Sequence, residues 1–180
     1  IDPRFTLGDL AGQRDEVIRR LKEQGYYDAN RTVATPLVPL RIGLITSVGS
    51  AAHADVLHEF ENSGFGFQIF VCDVRVQGEE AVPTVVAALS EMGRRTDLDV
   101  VMIVRGGGSR TDLLAFDSQE IAVAIARCPL PVFTGIGHEI DISVADEVAN
   151  RSFKTPTACA VAIGEMLQRF VDATEETWQG

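Results

Sequence analysis

The chain has 180 residues, 46% of them hydrophobic, with 26 acidic residues against 16 basic ones and a net charge of −10. That length fits a single domain able to bury a core without staples, and the hydrophobic share excludes a disordered chain. The apolar runs fall far short of the roughly 20 residues that span a bilayer, Ile1-Asp2-Pro3-Arg4 carries no secretory pattern, and the acidic balance argues against a surface built for nucleic acid.

Residues 10–24 read as a leading helix closed by Gly25, and 35–39 as a proline-bracketed connector. A first strand follows at 41–46. The segment 50–63 is helical, capped by Ser50, with Ala54, Leu57 and Glu61 at helical spacing. A second strand covers 68–74. The segment 79–94 carries Val82, Val85, Val86 and Leu89 on one helical face. A third strand at 99–104 leads to a helix at 117–127 bearing Ile121, Ala124 and Ile125, and a shorter strand lies at 131–134. Residues 140–149 look helical, and a long helix runs from 157 to 178 with Pro156 near its start.

The strands are rich in Val and Ile and alternate little, as strands covered on both faces do. Strand–helix repetition of this kind predicts a Rossmann-like α/β fold: a parallel sheet of about four strands with helices on both faces and right-handed crossovers. The expected division is leading helix and connector at 1–40, α/β core at 41–156, and the start of a long C-terminal helix at 157–180. Cys72, Cys128 and Cys159 are isolated, with no metal-ligand or redox spacing, which predicts a soluble protein of the reducing cytosol.

In an open parallel sheet, ligands bind beyond the carboxyl ends of the strands. The segments placed there are Thr46-Ser47-Val48-Gly49-Ser50, Asp73 with Gln77-Gly78, Arg105-Gly106-Gly107-Gly108-Ser109, and Gly135-Ile136-Gly137-His138-Glu139-Ile140-Asp141. The third is the most informative. Its glycines permit a backbone that turns amides towards an anion, and Arg105 adds a planar charged fork suited to phosphate oxygens. The bland alternative is a flexible turn that only ends a strand. No Gly-Lys-Ser/Thr ending is present, so this is not a P-loop, and Thr111 stands where a dinucleotide fingerprint or a nucleophile elbow needs glycine.

His138 and Asp141 are spaced so that a carboxylate can orient an imidazole, which makes His138 a candidate general acid or base; a helix-start histidine held by a capping carboxylate is the competing reading. Asp55 stays within reach of the strand ends. His53 and His58 read as a solvated helix face, Asp73 as a cap or ligand, and Phe116 as core.

Several of these segments recur in one order in a known family. Ile42-Gly43-Leu44-Ile45-Thr46-Ser47, Ala51-Ala52 with Asp55, Val76-Gln77-Gly78, Arg105-Gly106-Gly107-Gly108-Ser109 with Asp112-Leu113 and Ala115-Phe116, Gly137-His138-Glu139 with Asp141 and Ala145-Asp146, and Thr155-Pro156-Thr157-Ala158 together resemble the large subunit of exonuclease VII. The resemblance implies a hydrolase that degrades single-stranded DNA from its ends. It implies catalytic roles for Asp55, Arg105, His138 and Asp141, with phosphate held at Gly106, Gly107, Gly108 and Ser109. It also implies a small-subunit partner gathered through a C-terminal helical region, and no membrane. Asp141 either orients His138 or joins Asp55 in binding a divalent ion. Magnesium or manganese suits that donor set, and family members differ in needing an added metal. The chain departs from the usual pattern at Val48-Gly49-Ser50, at Ala54 where arginine is usual, and at Asp117 where asparagine is usual. A non-catalytic nucleotide- or phosphate-binding module is the alternative function.

Overall fold

The structure, a computed structural model, describes residues 7–137 and 142–179. Five strands form one sheet: β1 (Arg41–Thr46), β2 (Gln68–Asp73), β3 (Val100–Val104), β4 (Val132–Gly135) and β5 (Arg151–Phe153). Their spatial order is β2-β1-β3-β4-β5, and each neighbouring pair is parallel. The Rossmann-like expectation holds, with one strand more than the four foreseen. The sixth helix also has the length foreseen for it.

Six helices accompany the sheet: α1 (Leu7–Glu23), α2 (Ala51–Asn62), α3 (Ala81–Gly93), α4 (Gln119–Arg127), α5 (Val144–Val148) and α6 (Pro156–Gln179), with 3-10 turns at Asn30–Thr32 and Arg110–Asp117. Alternate strand residues serve opposite faces. Ile42, Leu44, Val100, Met102, Val104 and Phe133 meet Val56 and Phe60 of α2 and Cys159, Ala160 and Ile163 of α6. On the other face, Ile45, Val101, Ile103 and Val132 pack with α3, α4 and α5 and with Leu21 of α1. Phe116 is fully buried in that second layer, as core. No helix among the described residues is long and apolar enough to cross a membrane. The three cysteines are free, Cys128 and Cys159 buried among apolar side chains and Cys72 partly so.

The helix expected over 140–149 departs furthest from its expected start. Helix α5 starts at Val144, so Ile142 and Ser143 are not helical, and positions 140 and 141 lie outside the described residues. Ser143 caps the helix by accepting from the Asp146 amide, while Asp146 accepts in return from the Ser143 amide and hydroxyl at 3.1 and 2.7 Å. This reciprocal cap fixes where the helix begins. The other Asp146 oxygen accepts from the Thr134 hydroxyl at 2.6 Å, which ties the cap to the end of β4.

Gly135 shows how closely α6 meets the sheet. A Cβ there would sit 2.9 Å from the Thr155 carbonyl oxygen and 3.1 Å from Pro156 Cα and from Cys159 Cβ. Two of these are backbone atoms that cannot rotate away. Gly135→Ala is therefore expected to destabilise the fold by about 3 kcal/mol through overpacking, measurable as a lowered urea midpoint with unchanged slope.

Candidate functional site

The order β2-β1-β3-β4-β5 has its topological switch between β1 and β3. From β1 the chain leaves through α2 on one face, and from β3 it leaves towards α4 on the other. The crevice between those two strand ends is where such sheets take ligands. The glycine loop after β3 lies at this crevice. A Cβ on Gly106 would be 3.8 Å from Ala52 Cβ in the first turn of α2, and one on Gly137 would be 3.4 Å from the Arg105 carbonyl oxygen. The end of β3 is thus close both to the start of α2 and to the end of β4.

Arg105 is 97% shielded, its exposure being 3%, and its Nη1 has no hydrogen-bond partner. Burial pushes the guanidinium down from its ordinary value, while the Asp112 carboxylate opposes that shift. An arginine nevertheless stays charged at neutral pH, and a buried charge without full pairing is costly. The backbone anchors the residue through its amide, which donates to the Gly135 carbonyl at 3.2 Å.

The side chain doubles back beneath its own loop. A Cβ on Gly108 would stand 2.1 Å from Arg105 Nη2 and 3.0 Å from Asp112 Oδ2. Glycine at 108 thus makes room for the guanidinium in its present position and answers no need of backbone conformation. None of the three loop glycines has a positive φ; the left-handed glycines at the neighbouring strand ends are Gly49 (φ 82°) and Gly137 (φ 72°). The loop is therefore not an alternating nest. The amides of Gly106, Gly107 and Gly108 nonetheless have no protein partner among the described residues, whereas the Ser109 amide donates to Asp112 at 3.0 Å. The Ser109 hydroxyl meets that of Thr111 at 2.8 Å. Gly108→Ala is expected to push the guanidinium aside, lowering turnover about 10- to 100-fold with little change in melting temperature, since the displaced atom ends a long side chain. Steady-state kinetics beside thermal unfolding checks it.

The other sequence candidates fall as follows. Asp55 is exposed on α2, one turn beyond Ala52, on the helix whose start meets the glycine loop. His138 and Asp141 lie outside the described residues. Among the described residues no group of three His, Cys, Asp or Glu side chains is placed to hold a metal ion. Asp55 would hold one only together with residues beyond that set, and carboxylate oxygens with an imidazole fit magnesium or manganese. Asp73 is a cap: it accepts from the Val48 amide at 2.9 Å and steadies the loop after β1. His53 Nδ1 accepts from the Gly49 amide at 3.2 Å, and the exposed His58 pairs with Asn62, both local helix-surface roles.

The segment following 138–141 is held from outside the strand ends. Arg14 of α1 donates to the Ile142 carbonyl at 2.7 Å and pairs with Glu147, which also accepts from the Tyr27 hydroxyl at 2.8 Å. Asp117 accepts from the Val144 amide at 2.9 Å, a role an asparagine oxygen fills equally well, and its charge has Arg14 Nε 3.9 Å away. No local pattern marks Arg14 or Asp117, whose partners are distant in sequence. By contrast Ser109-x-x-Asp112 and Ser143-x-x-Asp146 are readable capping spacings.

Comparison with known proteins places this geometry in a family. Residues 26–179 match the family model described as exonuclease VII, large subunit. An exodeoxyribonuclease 7 large subunit from Moorella thermoacetica is 39% identical over 178 residues, covering 97% of this chain and 44% of that protein. The same-named proteins of Thioalkalivibrio sulfidiphilus and Corynebacterium efficiens are 38% and 40% identical, covering 88% and 86% of this chain and 36% and 37% of their own lengths. The chain thus spans less than half the length of these relatives. It belongs to the exonuclease VII large-subunit family.

Proposed function

We propose that this chain is the catalytic unit of an exodeoxyribonuclease that hydrolyses phosphodiester bonds in single-stranded DNA. The observation that carries the reading is Arg105, a buried guanidinium with an orphaned Nη1 at the topological switch, under a loop whose three glycine amides have no protein partner among the described residues. Such donors, already in place and shielded from water, suit the charge that develops on phosphate oxygens during in-line displacement. Arg105 and the Gly106–Gly108 amides hold the scissile phosphate, with Ser109 at the loop's end. His138 activates the attacking water or protonates the leaving oxygen. Asp141 orients His138, or it joins Asp55 around a magnesium or manganese ion, which would supply further charge neutralisation at the phosphate.

The net charge of −10 gives little attraction for a polyanion. Strand affinity is therefore assigned to parts of the parent protein outside these 180 residues, and small-subunit partners to a continuation of α6. The place of action is the cytoplasm.

The test is digestion of an end-labelled single strand and its duplex by the full-length parent assembled with its small subunit. Short oligonucleotides released from the single strand alone are expected. An assembly that binds the strand but leaves it intact would assign this domain to phosphate holding without hydrolysis.

A further inference from the structure

Among the described residues, three buried side-chain polar atoms lack a hydrogen-bond partner: Arg14 Nε, Thr46 Oγ1 and Arg105 Nη1. The first has a carboxylate 3.9 Å away. The other two stand at the carboxyl ends of β1 and β3, the two strands that flank the switch. Thr46 is fully buried. A lost hydrogen bond at a buried hydroxyl is unfavourable, and native cores satisfy such groups with few exceptions.

Thr134 makes the contrast within this fold. It too is a fully buried threonine near the end of a central strand, and its hydroxyl donates to Asp146 at 2.6 Å. Thr46 has no such acceptor. Its carbonyl is occupied by the Val74 amide at 3.0 Å, so only the hydroxyl is left over.

Strand alternation sets where that hydroxyl is. Thr46 continues the row Ile42, Leu44, which faces α2 and α6, whereas Arg105 continues the row Val101, Ile103, which faces α3 and α4. The hydroxyl thus belongs to the α2 side of the crevice. There α2 begins, and among the described residues the amides of Ala51 and Ala52 have no protein partner, Ser50 accepting from His53 and Ala54. Gly106 meets the first turn of α2, a Cβ on it standing 3.8 Å from Ala52 Cβ. Gly106 is half-buried and Gly107 exposed, so this part of the loop is the solvent side of the crevice.

We infer that Thr46 is a second ligand-facing residue of the site: its hydroxyl, with the first amides of α2, binds a phosphate oxygen on the face of the sheet opposite Arg105. The inference rests on the phosphate-hydrolysing reading above and extends it to a donor set that grips the phosphate region from both sides of the sheet. A hydroxyl to a charged oxygen is among the stronger neutral-to-ionic hydrogen bonds.

The test is binding of deoxythymidine 3′,5′-bisphosphate to the full-length parent chain, followed by calorimetry, with thermal unfolding of the same samples. Thr46→Val keeps the shape and removes the hydroxyl; Thr46→Ser restores it. Without ligand, Thr46→Val is expected to melt at or above the wild-type temperature. Its dissociation constant for the bisphosphate should rise about 10- to 100-fold, and Thr46→Ser should bind within a few-fold of wild type. Equal binding by wild type and Thr46→Val overturns the inference while leaving the nuclease reading intact. So does a ligand-free Thr46→Val that melts well below wild type, since the hydroxyl would then be structural. A wild-type chain that neither binds the bisphosphate nor cuts single-stranded DNA overturns both.

Discussion

Arg105→Met is expected to lower single-stranded DNA cleavage about 1,000-fold or more while leaving the folded state as stable as wild type, or more so. The two halves of this expectation have one cause. Removing a preorganised charged donor from a water-excluded site costs roughly a hundred- to a thousand-fold in turnover, and here the donor is a full charge. The same charge stands buried with Nη1 unpartnered. An apolar side chain of similar length relieves that burden, as replacement of buried charges by well-packed apolar groups commonly does. The anchoring bond from the Arg105 amide to Gly135 is made by backbone and survives the change. Single-turnover cleavage by the full-length assembly, set beside its melting temperature, checks both halves. An arginine kept for the fold would show the reverse: a lower melting temperature with cleavage nearly intact.

Asn30→Ala is expected to give the largest loss of stability, about 4 kcal/mol, read as a fall of roughly 10 °C in melting temperature. Asn30 is fully buried, and its amide joins four backbone groups. Nδ2 donates to the carbonyls of Ile125, Cys128 and Leu130 at 3.0, 3.2 and 3.0 Å, and Oδ1 accepts from the Val132 amide at 2.9 Å. These groups are the end of α4 and the first residue of β4, so one side chain sets how the chain enters the strand that ends beside Arg105. Asn150 extends the knot by donating to the carbonyls of Asn30 and Val33 at 2.7 and 2.9 Å. Alanine leaves these groups buried without partners. Asn30→Asp is expected to be worse still: it keeps an acceptor for Val132 but sets a carboxylate against three carbonyl oxygens. Equal stability of the alanine variant and wild type in thermal or urea unfolding contradicts this account.

Much of the scaffold was legible because its signals are local. The Val- and Ile-rich runs of β1 to β4 announce buried parallel strands, and Ser50 and Pro156 mark helix starts. Strand β5 was not legible. Arg151-Ser152-Phe153 is short, lies at a sheet edge and is mostly exposed, so it carries neither an apolar run nor alternation. The helix expected over 140–149 was extended past its cap, although Ser143-x-x-Asp146 carried the boundary. At the site, the glycines after a strand drew attention to a loop that the structure sets at the topological switch, with Arg105 buried at its start. The reason for Gly108 did not follow from sequence, because a guanidinium folding back under its own loop leaves no periodic trace. Thr46 looks like any strand threonine until its partners are known, and the knot around Asn30 joins residues about 100 positions apart.

The net charge of −10 stands in tension with the proposed nucleic-acid substrate. On the proposed reading the fold locates that tension without removing it: the Arg105 guanidinium is buried, where charge is shielded from solvent and acts at short range. In the proposed function, long-range attraction of the strand is a separate property, of the kind a basic, aromatic surface supplies.

The central claim is that Arg105 is kept charged, with Nη1 unpartnered, for a phosphate and not for the fold. Its most direct test is the melting temperature of the full-length chain, wild type and Arg105→Met, with and without a non-cleavable single-stranded oligonucleotide. Without oligonucleotide the wild type should melt no higher than the variant; with it, the wild type should melt higher, so that the order reverses. A variant that already melts lower without oligonucleotide, or that gains as much stability from it as the wild type, contradicts the claim.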